Sequence, residues 1–311
     1  MKLIKYKLFI SLCWLFTILI ATNPLKSRAQ GYAEGANLSG DVMPLSVKGT
    51  GGTQSFNGIS KKLTDNIPVY LKKHEHSFLV FGLNLEAMSF SGTHNYFPVD
   101  AEYGITPMFG YSRTMNKKLN VSALLVPLLN SDLKVLNSTD FHFGAVVKAV
   151  YWLRPNVSVK VTLGYRRQYY GTQYVVLLGG DWKISNRWRL FGDLPNNATL
   201  AYAISPKMNT GLIYQAGNTT YSLSQQNSYL LYDYAQGGLF LEYYLTKYIA
   251  LRGTFTTSVI RKLDIFNANQ QVAGGVLDYI PMSAAPKALN NEVSNGPALK
   301  LSLSARKPDK K

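Results

Sequence analysis

The segment from Asn156 to Gln168 reads Asn-Val-Ser-Val-Lys-Val-Thr-Leu-Gly-Tyr-Arg-Arg-Gln. As a strand it puts Val157, Val159, Val161, Leu163 and Tyr165 on one face and Ser158, Lys160, Thr162, Gly164 and Arg166 on the other. A single strand of this kind could cover a soluble core. Here the alternation recurs almost to the C-terminus, behind what reads as an export signal. That combination predicts an all-β, antiparallel transmembrane barrel, with one face toward lipid and the other toward a lumen.

The N-terminus has the three parts of a secretory signal. Lys2, Lys5 and Lys7 precede an apolar stretch from Leu8 to about Ala21, and Ser27-Arg28-Ala29 supplies small residues for cleavage after Ala29. The apolar run is shorter than the roughly 20 residues of a spanning helix, which argues against a retained anchor. The expected division is therefore a cleaved signal peptide over 1–29 and one barrel domain over 30–311. Cleavage would remove Cys13, the only cysteine, and with it any disulfide or cysteine-based zinc site. The chain is basic, with 33 Lys and Arg against 17 Asp and Glu. An exported chain does not meet nucleic acid routinely, so this charge points instead to lipopolysaccharide phosphates or anionic solutes.

Neighbouring segments repeat the pattern. Phe143, Ala145, Val147 and Ala149 oppose His142, Gly144 and Lys148; Leu251, Phe255 and Val259 oppose Arg252, Thr254 and Ser258; Leu299, Leu301 and Leu303 oppose Lys300, Ser302 and Ser304. Tight turns are expected at 115–118, 154–156, 185–186, 205–207 and 246–247. Longer polar connections are expected near 91–101, 131–140, 167–171 and 264–296. Short and long connections alternate, as periplasmic turns and outer loops do in outer-membrane barrels. The 264–296 stretch is the candidate outer flap or inward plug. Counting back from the C-terminus gives twelve strands beginning near His76. Residues 59–71 and 39–48 supply two more, so about fourteen strands are expected, with twelve as the alternative. Clustered aromatics fit the two interfaces of a bilayer; Tyr165, Tyr169, Tyr170, Tyr174, Trp182 and Trp188 are the expected interface set.

Between Asp181 and Ile260 three pieces stand together. They are Trp182-Lys-Ile-Ser-Asn-Arg-Trp188 leading through Asp193-Leu194-Pro195, the strand with Gly211, Gly217 and Tyr221-Ser-Leu223, and Gly237-Gly-Leu-Phe-Leu-Glu-Tyr-Tyr-Leu-Thr-Lys247 followed by Arg252-Gly253. This set resembles a family of outer-membrane β-barrel proteins of Gram-negative bacteria known as a domain of unknown function. The resemblance implies fold and an outer-membrane location, reached through the periplasm. It brings no catalytic or binding residues with it.

Inward-facing polar residues would give a lumen lined by Lys148, Lys160, Arg166, Lys183, Arg187, Arg189, Arg252 and Lys300, with Glu86, Glu102, Asp181 and Glu242 as its acids. A net positive wall favours anions, so the expected function is a passive pore for small anionic solutes. The alternative is that these charges pair and fill a closed structural or surface-binding barrel. An outer-membrane lipid-modifying enzyme is the third reading, but His142 lacks a neighbouring serine and no paired-carboxylate or phosphate-loop motif occurs. His74-Glu75-His76 reads as a solvated corner rather than a metal site. No enzyme activity, metal or cofactor is expected; the barrel's partners would be outer-membrane lipid and lipopolysaccharide, with oligomeric state open.

Overall fold

A computed structural model describes residues 34–49, 52–71, 77–91, 97–224, 226–270 and 286–306. The expected signal peptide and His74-Glu75-His76 lie outside the described residues. The chain forms fourteen strands: β1 (Glu34–Gly49), β2 (Gly52–Tyr70), β3 (Ser77–Ser91), β4 (Ala101–Thr114), β5 (Leu119–Ser131), β6 (Phe141–Arg154), β7 (Val157–Gln168), β8 (Gly171–Lys183), β9 (Trp188–Leu194), β10 (Asn197–Ser205), β11 (Met208–Leu223), β12 (Ser228–Tyr244), β13 (Ile249–Asn267) and β14 (Pro297–Arg306). Each strand pairs with its sequence neighbours, and β14 closes the ring on β1 with Leu38 opposite Leu303 and Val42 opposite Leu299. Closure matters physically, because an open strand edge in hydrocarbon would leave backbone N–H and C=O groups without partners.

The outer face carries the apolar half of each alternating strand. Leu178, Leu212, Leu239, Val259 and Leu301 are all more than half exposed. Below this belt Tyr151, Trp182, Trp188 and Tyr243 form one exposed aromatic rim; above it Phe141, Tyr165 and Tyr174 form another. From Trp182 to Tyr174 the strand β8 rises roughly 20 Å after allowing for tilt, close to the apolar band of an outer-membrane barrel. The protein is an outer-membrane barrel. Turn lengths orient it: among the described residues the β4–β5, β6–β7, β8–β9, β10–β11 and β12–β13 connections are all tight turns, and that end belongs in the periplasm.

Toward the outer end the polarity of the wall inverts. On β1 the inward residues are Ser39 and Asp41 low in the barrel, then Met43, Leu45 and Val47 higher up, all three buried. On β13 the change is made by a bulge. Ala235 pairs with Ile260 and Gln236 with Ser258, so Val259 is left over and the inward set switches from Thr254, Thr256 and Ser258 to Arg261, Leu263 and Ile265. Leu263 and Ile265, with Met43, Leu45 and Val47, join Phe56, Met88, Tyr221 and Leu230 in one apolar core inside the outer mouth.

The core is enclosed by a smaller ring. β9 and β10 are only 7 and 9 residues long, so β11 outlasts its partner above Gln215. Its outer part crosses the mouth instead and meets β5, where Ser222 pairs in parallel with Ser131 and the Asp132 N–H donates to the Ser222 carbonyl at 2.9 Å. On the far side β14 stops at Pro297, and residues 286–296 take its place. Val293 bridges to Val47, and the Asn290 side chain caps the β13 edge through the Ile265 N–H and the Leu263 carbonyl, both at 2.7 Å.

The structure departs from two expectations. Of the 264–296 stretch, residues to Asn267 continue β13 and 286–296 complete the wall, so the described part is neither flap nor plug. The 167–171 connection is a tight turn at Tyr169-Tyr170, not a long one.

Position within the belt sets the cost of a charge. Leu301→Arg should destabilise by about 2–4 kcal/mol, read as a lowered denaturant midpoint for the protein in lipid vesicles. Leu230→Ala, in the apolar mouth, should cost about 2–5 kcal/mol through the cavity it leaves, in the same measurement.

Candidate functional site: a charged lumen leading to a cavity

The periplasmic part of the lumen holds a set of ion pairs between inward-facing side chains of adjacent or next-but-one strands. Arg189 of β9 forks onto Asp181 of β8 with contacts of 2.8 and 2.5 Å. Arg252 of β13 reaches Glu242 of β12 at 2.7 Å, and Arg306 of β14 reaches the same carboxylate at 2.5 Å. Asn209 donates to its other oxygen at 3.3 Å. Further along, Lys160 lies 3.5 Å from Asp193, Lys300 3.7 Å from Asp41 and Lys62 4.0 Å from Glu86. Direct registry sets Arg252 opposite Glu242, Lys300 opposite Asp41 and Lys62 opposite Glu86, and Arg189 lies diagonal to Asp181. Lys160 and Arg306 reach their carboxylates across an intervening strand. Two arginines share the single Glu242, so positive charge stays in excess there.

Beneath the apolar mouth lies a cavity of about 410 Å³, with the Lys62–Glu86 pair in its wall. One part of its lining is apolar, from Val126 and Leu128 of β5, Val146 of β6, and Val175 and Leu177 of β8. The other is polar and includes Lys62, Asn84, Glu86, Asn130 and Arg166, with Tyr232 and Tyr234 over it. Arg166 donates to the Gln173 side-chain oxygen at 2.6 Å and to the Asn218 side-chain oxygen at 2.5 Å.

The cavity reaches the barrel wall where the ladder is interrupted. β8 pairs with β9 only from Leu178 downward, and β11 pairs with β10 only up to Gln215. Between them stand the Gly171–Leu177 edge of β8 and the Ala216–Leu223 edge of β11. Asn196, at the tip of the short hairpin, forms the sill; Val175, Leu177 and Gly217 line the sides. Across the top runs a polar latch in which the Tyr170 hydroxyl meets the side-chain oxygens of Gln173 and Asn218. The freed β11 backbone is satisfied by side chains: the Thr220 N–H donates to the Gln168 side-chain oxygen at 2.9 Å. Gly179 sits at the base of this window. A Cβ there would lie 2.3 Å from the Gly192 carbonyl oxygen, so the strands can approach only without a side chain.

The model of a domain of unknown function, DUF6268, matches residues 102–271. The chain belongs to that family. The match runs from β4 through β13, so family sequence builds the window and most of the cavity. Comparison with the curated proteins finds no match. Among solved structures the barrel is similar to an outer membrane channel from Pseudomonas putida F1 (10% identity, 92% of this chain and 99% of that chain, TM-score 0.42). It is also similar to the NanC porin (8%, 87% and 98%, 0.40) and to OprB of Pseudomonas putida (8%, 89% and 94%, 0.41).

In this DUF6268 barrel Lys148, Lys160, Arg166, Arg189, Arg252, Lys300, Glu86, Glu102, Asp181 and Glu242 take the inward positions of their strands, and Lys183 does so at the exposed periplasmic rim. Arg187 does not line the wall. It sits in the β8–β9 turn and donates to the Tyr202 hydroxyl at 3.1 Å. Glu102 is fully buried above the cavity, with neither carboxylate oxygen hydrogen-bonded among the described residues.

Tyr165, Tyr174, Trp182 and Trp188 face outward, whereas Tyr169 and Tyr170 depart from the expected interface role. Their tight turn folds over the small ring, where they pack with Tyr229 and Phe266. His142 packs edge-on against Tyr169 at 4.5 Å, with its Nε2 unpartnered among the described residues. The base–hydroxyl pair of acyl-transfer chemistry is not assembled there.

Asp41, Lys62, Asp193 and Arg306 were not among the expected lumen residues. Asp41 and Lys62 lie on the strands with the least regular alternation. The window itself had one readable signal, the close spacing of the turns at 184–187, 195–196 and 206–207, which leaves β9 and β10 too short to reach the rim.

Glu242→Gln keeps shape but leaves Arg252 and Arg306 facing each other without their carboxylate. The expected cost is about 3–5 kcal/mol, measured by denaturant unfolding, and Arg252→Met in the same background should recover part of it. Gly179→Val should cost on the order of 1–3 kcal/mol by overpacking at the window base, in the same assay.

Proposed function

We propose that this barrel is a passive channel for small anionic solutes. The observation that carries this reading is the polar, cation-rich lumen that ends in the 410 Å³ cavity. A surplus of fixed positive charge in a low-dielectric tube concentrates anions and repels cations. Paired charges also supply hydrogen-bond partners to a dehydrating solute without presenting a deep trap for it, which suits passage better than retention.

A second reading has its own support. The apolar core in the mouth fills the route along the barrel axis, as it would in a closed barrel whose role is structural or lies in its outer surface. Planar-bilayer recordings of the refolded chain separate the two. The first reading expects small, discrete conductance steps, with a reversal potential in a salt gradient that favours chloride. Cation preference would overturn the charge assignment, and a silent bilayer with properly folded protein would favour the closed barrel.

A further inference from the structure

The break in the ladder between β8 and β11, bridged at its top by Arg166, Gln173, Tyr170 and Asn218, lies in the lipid-facing wall rather than at the mouth. Its sill, at Asn196, stands level with Leu178 and Leu194, both exposed on the apolar belt, and Tyr174 of the outer aromatic rim stands above it on β8. The sides present Val175 and Leu177 to the cavity. The axial route above is filled by the apolar core. A molecule in the outer leaflet therefore has a shorter path into the cavity than one in the outside water.

We propose that this window is a lateral portal, through which a single-chain amphiphile with an anionic head passes from the outer leaflet into the cavity. Its tail would lie against Leu128, Val146, Val175 and Leu177, with its head toward Arg166 and Lys62. This rests on the channel reading above and names the solute class for the same lumen.

Size sets the first limit. A volume of 410 Å³ is near the low end of the roughly 300–1,000 Å³ of small-molecule pockets, which admits one short chain and excludes a two-chain lipid. Energetics set the second. Moving a tail from lipid to an apolar wall gains almost nothing, because hydrocarbon is as apolar as leucine. Selectivity must then come from the head, and Arg166 is the cation aimed at the window. It is already oriented there by Gln173 and Asn218. The same two side chains close the top of the window with Tyr170, so an arriving acid would compete for hydrogen bonds that now hold the latch.

The test uses the full refolded chain in lipid vesicles and spin-labelled decanoic acid, with the immobilised fraction read by electron spin resonance. Wild type should show a saturable immobilised component. Val176→Trp, one residue away but on the lipid face, should retain it, whereas Val175→Trp should weaken it at least tenfold. Arg166→Gln should weaken it by a similar factor, and spin-labelled decane, which lacks the head, should show none. Asn218→Ala, which removes one side of the latch, should speed exchange between bound and lipid-dissolved probe. Equal binding to Val175→Trp and wild type, or no immobilised component in wild type, would overturn the portal. Conductance in the same preparation separates the two ideas: anion current without probe binding sinks the portal alone, and binding without current sinks the channel alone.

Discussion

Every structural choice in this chain follows from the cost of an unpaired peptide group in hydrocarbon. Each such group costs several kcal/mol when no water can reach it, and the barrel answers by pairing every strand with both neighbours until β14 returns to β1. Side chains are then free to sort by solvent, apolar outward and polar inward. The charged lumen is a by-product of the same sorting, since ladder registry sets Arg252 beside Glu242 and Lys160 within reach of Asp193.

The exception lies where the ladder stops. β9 and β10 end early, and two edges are left standing in the outer half of the wall. The β11 edge is rescued by bending inward to β5 and by side chains such as Gln168 and Asp132 that stand in for a missing strand. The rescue is local to the mouth and leaves the gap beside Val175 and Leu177 open. A shortened hairpin thus creates the core of the mouth and the window together.

Much of this was legible in the chain and some was not, for definite reasons. Alternation in β6, β7 and β14 declared both faces, because one solvent lies on each side of those strands over most of their length. It could not reveal that Met43, Leu45 and Val47 face inward: period two shows that faces differ, not which solvent each meets. The Val259 bulge was likewise invisible, since a leftover β-branched residue reads as one more strand position. Charged lumen residues followed from alternation, while their pairing needed registry between strands. Tyr169 and Tyr170 misled because an aromatic pair at a strand end suits an interface and a buried corner equally well.

The meeting of β11 with β5 also bears on how the barrel is assembled. Adjacent strands can zip together in chain order, each waiting only for the one before. Asn130 and Thr219, hydrogen-bonded across the mouth, are 89 residues apart, and joining distant segments is the slow step in sheet formation. Ring closure is longer-range still, since it joins Leu38 to Leu303, so the hairpins can form early while the tube and its outer mouth both wait on segments far apart in the chain.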